Sequence, residues 1–414
     1  MTVLDTVQRL QFTDRAAAEV MLLKFMRDEL GLDAVSVELR PLAVSLNSFN
    51  GFMTLRNGER LFFKTHTEAN TIITEYYNAA NLASAGYPVL QPVYSSTTTG
   101  RQLLIYPVIE SPSVFDVACA IENGDSADAT GVQRAQEDTD DHLRQIYADT
   151  LTLQSGADAA AAPVHQLFHH RIAGGRLSRF YGAGQGSDET VALPGGDLIT
   201  LKALRSLEWT VNGQRYAESL NDLIERGARL LTPDQSGASI IGHGDAHNGN
   251  LFYLSDGPSL LYFDPAFAGR HSPLLDLAKP LFHNVFAMWM YFPHEKAREF
   301  VLSARVEGGR MVVEHNYLLA EVRHMFLRSK AERVLTPTLR LMRETGLLQD
   351  DWRTYLKAAL MCCPLLTMNL SDSARFPAEV QLLGFAMAVE MGAESEGERS
   401  LIDRTLDRAS CALE

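Results

Sequence analysis

Partway along the chain the hydrophobic period changes, and this narrows the fold more than any other feature. Residues 33–107 read as strands around one helix, whereas the residues beyond 138 read mostly as helices. Val35–Leu42 alternates apolar and polar side chains, as a strand with one buried face must. Phe52–Leu55 and Arg60–Lys64 are short apolar runs joined by Arg56-Asn57-Gly58-Glu59, and Asn-Gly in that setting predicts a hairpin. Residues 68–85 predict a helix stopped by Gly86 and Pro88. Val89–Ser95 and Arg101–Pro107 predict two further strands. The order β-β-β-α-β-β gives a small antiparallel sheet with one main helix. Ahead of it, Asp14 caps an amphipathic helix over 14–30, in which Ala18, Met21, Leu22 and Phe25 recur at helical spacing.

The second part predicts helices at about 138–155, 216–232, 273–290, 312–331 and 350–392. A strand-like insertion at about 190–215 carries a second turn signal, Asn212-Gly213. Three short apolar runs, Ala238–Ile241, Leu251–Leu254 and Leu260–Phe263, break the helical series and are separated by polar loops. The expected architecture is α+β and two-lobed, with an N-lobe over 1–107 and a large, mostly helical C-lobe over 108–414. Glu122, Asp125, Asp128, Glu137, Asp138, Asp140 and Asp141 crowd the segment 121–141. It reads as a solvated loop or, more pointedly, as a flap that attracts a cationic substrate.

A formal net charge of −14 argues against nucleic acid, whose phosphates need Lys and Arg, and against an anionic membrane surface. The most apolar stretch, Leu281–Phe292, is too short to span a bilayer. Four cysteines in so long a chain fit no zinc spacing and suggest a reducing compartment. The first residues show no basic segment followed by an apolar run. A cytoplasmic protein is expected.

The chemistry concentrates in Ile241-Gly-His243-Gly-Asp245-Ala-His247-Asn248-Gly-Asn250-Leu-Phe252, followed by Tyr262-Phe263-Asp264-Pro265. Phosphoryl transfer needs a carboxylate to take the proton of the attacking hydroxyl, and oxygen ligands to hold Mg²⁺ against the phosphates. Asp245, Asn250 five residues on, and Asp264 after a predicted hairpin supply these groups from one segment. Asp245 would serve as the base, with Asn250 and Asp264 as metal ligands. His243 and His247 also suggest a zinc pair, but Zn²⁺ would want a third nitrogen or sulfur ligand. His243 is read as a brace for the loop, and His247 as a neighbour of the phosphates.

His-Gly-Asp-x-His-x-x-Asn followed by Asp-Pro resembles the aminoglycoside phosphotransferase and choline kinase superfamily, which shares the protein-kinase fold. The resemblance covers about 35–110 and 138–290. It implies an ATP- and Mg²⁺-dependent kinase acting on a small-molecule hydroxyl. It also implies that Asp276, in Asp276-Leu-Ala, helps hold the catalytic loop. In such an N-lobe Lys64, at the end of an apolar strand, reaches the α and β phosphates. Glu75 on the next helix partners Lys64, with Glu68 as the rival. The phosphate loop departs from the protein-kinase pattern: Ser45-Leu-Asn47-Ser48-Phe-Asn50-Gly51 holds one glycine. Ser45, Asn47, Ser48 and the Gly51 backbone are its candidate donors, and the hinge near Ile105 is the candidate contact for the base. Two further readings are an antibiotic-resistance kinase and a nucleotide-binding pseudokinase with a regulatory role.

Overall fold

The computed structural model describes residues 2–40, 48–66, 71–96, 98, 100–125 and 128–413. The chain forms two compact units. The first comprises Met1–Pro112 together with Leu261–Ala266, and the second comprises Ser113–Leu260 and Phe267–Glu414. A single cut after residue 107 therefore misses the short distant segment. Tyr262 binds that segment to the first unit: its N–H donates to Pro88 O (2.8 Å) and its carbonyl accepts from Leu90 N (2.8 Å).

The first unit is built on a five-stranded antiparallel sheet. Its spatial order is Ala34–Leu39, Ser48–Leu55, Arg60–His66, Leu103–Pro107, Tyr94–Ser96. The strand expected from Val89 starts later, at Tyr94. Pro88 and Pro92 lack the N–H that a ladder requires, and Val89 makes only an isolated bridge to Tyr262. Gly58 has a φ of +86° in the predicted Asn-Gly hairpin, so the turn takes the conformation that glycine allows without strain. The helix after the third strand runs over Thr71–Ser84 and is joined by two others, Val3–Leu10 and Arg15–Asp28. The first of these was not expected. Thr2 and Asp5 close a reciprocal capping box at its start.

Leu4, Val7, Leu22, Phe25 and Met26 from this helix pair form one core with Val37, Phe49, Met53, Phe63 and Ile105 of the sheet. Strand alternation therefore fixes the sides. Leu61 and Phe63 face the helix pair, whereas Phe62, packed with Leu104 and Tyr106, and its alternate Lys64 face the other way.

The second unit carries a three-stranded antiparallel sheet in which Gly237–Gly242 lies between Gly269–His271 and Thr152–Gln154. A four-stranded sheet orders Gln214–Tyr216, Glu208–Val211, Arg310–His315 and Leu302–Glu307. The helix expected across 312–331 is corrected by this sheet. Residues 302–315 form a hairpin turning at Gly308 and Gly309 (φ +56° and +79°), and the helix occupies Glu321–Lys330. The larger helices are Ala129–Thr150, Leu220–Leu230, Pro273–His283, Trp352–Thr367 and Ala378–Gly392. No helix among the described residues is long and apolar enough to cross a membrane.

The acidic stretch is neither a solvated loop nor a flap of free carboxylates. Its acids lie mainly on the Val114–Glu122 and Ala129–Thr150 helices, and several are spent on internal ion pairs. Asp140 is fully buried, accepts from Ser329 Oγ (2.7 Å) and pairs with Lys330. Glu137 and Asp141 both hold Arg333 (2.8 and 2.6 Å), and Glu122 holds Arg323 (2.8 Å) and Lys296 (2.7 Å). Positions 137, 140 and 141 share one helical face, which lets them meet the 321–335 segment together.

Removing one partner of a buried pair strands the other charge. Lys330→Met should cost about 3–5 kcal/mol in chemical denaturation, and the double variant Asp140→Leu, Lys330→Met should recover most of that loss.

Candidate active site

In the second unit, the strand Gly237–Gly242 runs into the loop that carries Asp245. Gly244 has a φ of +80°, and a Cβ there would lie 2.4 Å from Phe267 O, so both conformation and space demand glycine. The loop closes on itself. His247 N donates to Asp245 O (2.9 Å), Asn250 N to His247 O (2.7 Å), and Asn250 Nδ2 to Asp245 O (2.8 Å). Gly249 N donates to His247 Nδ1 (3.1 Å), and Asn248 N to Asn284 Oδ1 (2.7 Å). His243 is fully buried and its Nδ1 accepts from Asp245 N (3.4 Å). Both histidines are thus tied to loop amides through Nδ1. Among the described residues no group of three His, Cys, Asp or Glu is placed to hold a metal.

Asp276, on the Pro273–His283 helix, anchors this loop. Its Oδ1 accepts from Gly244 N (2.5 Å) and faces His271 Nε2 (2.9 Å), and its Oδ2 accepts from Tyr147 OH. Burial alone would raise this carboxyl. The His271, Tyr147 and Gly244 donors outweigh it and hold Asp276 at about 2.

Asp245 Oδ1 is buried and has no hydrogen-bond partner. Lys279 Nζ (3.8 Å) and His247 Nε2 (3.9 Å) lie beside it. Lys279 Nζ also lies 3.3 Å from His283 Nε2, and Tyr291 OH meets His283 Nδ1 at 2.8 Å. Burial, then the Lys279 charge, push His283 well below its ordinary value, so this ring is neutral. Lys279 and His283 were missed in the sequence. Their signal is nonetheless there: positions 276, 279 and 283 fall on one face of a helix, so the face that holds the loop also lines it.

In the first unit, Lys64 Nζ pairs with Asp264 Oδ1 at 3.0 Å. Asp264 has a φ of +55°, a left-handed conformation that Asp tolerates better than most residues. Asn78, on the helix that carries Glu75, fixes the following turn by donating to Pro265 O (3.1 Å). Ser45, Asn47 and Glu68 lie outside the described residues, as do the side chains of Ser48 and Glu75. Gly51 is mid-strand, in register with Leu39 and Phe63, and a Cβ on it would lie 2.1 Å from Glu38 O. Sheet packing therefore explains the glycine. Ile105 is a buried sheet residue in register with Phe63 and Tyr94, and its carbonyl accepts from Val93 N (2.8 Å). Any free hinge backbone starts after Pro107, where that strand ends.

No protein-family model matches the chain, and no curated protein matches it in sequence. Solved structures similar to it include a macrolide 2'-phosphotransferase from Brachybacterium faecium, 14% identical over 90% of this chain and 98% of the other, with a TM-score of 0.40. Another is the aminoglycoside phosphotransferase APH(4)-Ia, 10% identical over 90% and 98%, with a TM-score of 0.48. A third is an amicoumacin kinase in complex with AMP-PNP and Ca²⁺, 14% identical over 86% and 87%, with a TM-score of 0.43.

Because Asp276 titrates below its unfolded value, its stabilisation is complete above about pH 4 and drains as pH falls towards 2. Denaturation curves should show about 2 kcal/mol lost across that window in the wild type and a flatter profile in Asp276→Asn.

Proposed function

We propose that this protein is an ATP-dependent phosphotransferase of the protein-kinase-like type, moving a γ-phosphate to a hydroxyl of a small molecule. The observation that carries the reading is the buried Asp245 Oδ1, held in a closed loop without a donor. Buried polar atoms are almost always satisfied, and a carboxylate oxygen left bare is suited to accept the proton of an incoming hydroxyl.

Asp245 is the base in this reading. Lys279 and His247 flank it without bonding its Oδ1. Asn250 and Asp264 fit a hard cation. The Asn250 amide nitrogen is committed to Asp245 O, leaving its oxygen as the ligand end, and Asp264 adds a carboxylate. Amide and carboxylate oxygens of this kind suit Mg²⁺. An ion held by these oxygens would supply positive charge to the phosphates. Lys64 supplies a compact positive charge for the phosphates, and its link to Asp264 sets the two groups beside one another. Asp276 positions the loop through Gly244 and does not itself react. The work of the protein is positioning and charge neutralisation.

The pairing of Glu122, Glu137, Asp140 and Asp141 removes the acidic flap that was read as attracting a cationic substrate. The acceptor class is therefore a small-molecule hydroxyl in general: a sugar, an amino alcohol or a natural product.

ADP release from MgATP, followed across a panel of sugars, amino alcohols, nucleosides and aminoglycosides, tests this reading. One compound class should stimulate release, and Asp245→Asn should lower it by about 10²–10⁴-fold while MgATP binding persists. MgATP binding with no stimulated release by any hydroxyl compound would favour a regulatory pseudokinase instead.

A further inference from the structure

Behind the Asp245 loop the second unit contains a cavity that the proposed reaction does not use. Its walls include His165, His271, Gln154, Leu275, Trp352 and Gln349. Asp245 and Asn250 are not among them, and neither is any Lys, Arg, Asp or Glu. The two histidines are 5% and 1% exposed, and the Nδ1 atom of each is buried without a hydrogen-bond partner.

The opposite ring nitrogens fix what these atoms can do. His165 Nε2 meets the carbonyl of Ala159 at 2.9 Å, so Nε2 carries the hydrogen. Burial, more than anything else, lowers His165 to about 4, so the ring is neutral near pH 7 and its Nδ1 is a bare lone pair. His271 Nε2 faces the Asp276 carboxylate at 2.9 Å and likewise carries its hydrogen, which leaves Nδ1 as the ring position open to a ligand. Two buried ring nitrogens with no hydrogen-bond partner are costly, and a cavity with uncharged walls offers them no ion. Trp352 and Leu275 add apolar surface beside them.

We propose that this cavity binds a small uncharged molecule bearing an O–H or N–H donor on an apolar body, and that its occupancy reaches the Asp245 loop through His271, Asp276 and Gly244. The relay is short. A hydrogen bond made at His271 Nδ1 polarises the ring whose Nε2 holds Asp276 Oδ1, and that same oxygen accepts from Gly244 N at 2.5 Å. Binding at this site stands whether or not Asp245 acts as a base, because its readouts involve no phosphoryl transfer.

The experiment titrates phenol into the full chain labelled with ¹⁵N at histidine and glycine, with toluene as the probe of similar shape that lacks a donor. Phenol should move the His165 Nδ1 resonance upfield by several ppm, displace the His271 Nδ1 resonance and shift the Gly244 amide, and toluene should do none of these. Gln349→Trp, which plugs the cavity from a wall bonded to neither histidine, should weaken phenol binding at least tenfold. Leu347→Trp plugs it from another wall and serves if the first variant does not fold. Equal effects of phenol and toluene, unchanged Nδ1 resonances, or undiminished phenol binding in a folded plugged variant would overturn the site. Nδ1 resonances already at hydrogen-bonded positions and unmoved by phenol would mean that the cavity holds water only. A Gly244 amide that stays put while the Nδ1 resonances move would overturn the relay.

Discussion

The second unit depends on one buried carboxylate. Asp276 gathers donors from three separate stretches: Tyr147 on the Ala129–Thr150 helix, His271 at the end of a strand, and Gly244 in the loop. A lone buried carboxylate would be prohibitively costly, and three donors make it the reference point to which the loop is registered. The neighbouring sequence obeys this. A Cβ on Gly242 would lie 2.6 Å from Asp276 Oδ1 and 2.7 Å from His271 Nε2, so the strand must end in glycine for the carboxylate to approach.

From that anchor the remaining geometry follows. The helix that presents Asp276 also presents Lys279 and His283 one and two turns later, on the same face. The ammonium comes within 3.8 Å of Asp245, and the neutral His283 ring, held by Tyr291, packs at its side. Support for the loop and the charge around its reactive group therefore come from a single helical face. In the first unit the logic is that of the pleat: Phe63 is turned into the core, so Lys64 is turned out of it and meets Asp264.

Much of this was legible in the sequence, because local rules and tertiary demands coincide there. The Asn57-Gly58 hairpin, the Asp14 cap and the three short runs around the loop were read from period and turn chemistry, and Leu251–Leu254 is a strand as expected. The Asp245-to-Asn250 spacing proved to be the span of a loop closed by its own hydrogen bonds. Other features were not legible because a partner distant in sequence decides them. Glu137, Asp140 and Asp141 looked solvated because Lys330 and Arg333, their partners, lie about two hundred positions away. The 302–315 hairpin was hidden because alternation over so few residues is easily absorbed into a helical reading. Gly51 looked like a phosphate-loop glycine, whereas the close approach of Glu38 accounts for it.

Calorimetric binding of ATP with and without Mg²⁺, in the wild type and in Asp264→Asn, tests the nucleotide site most directly. Saturable binding that requires Mg²⁺ is expected in the wild type, weakened at least tenfold in the variant. ATP that fails to bind, or that binds equally well without Mg²⁺ and without the Asp264 carboxylate, would contradict it.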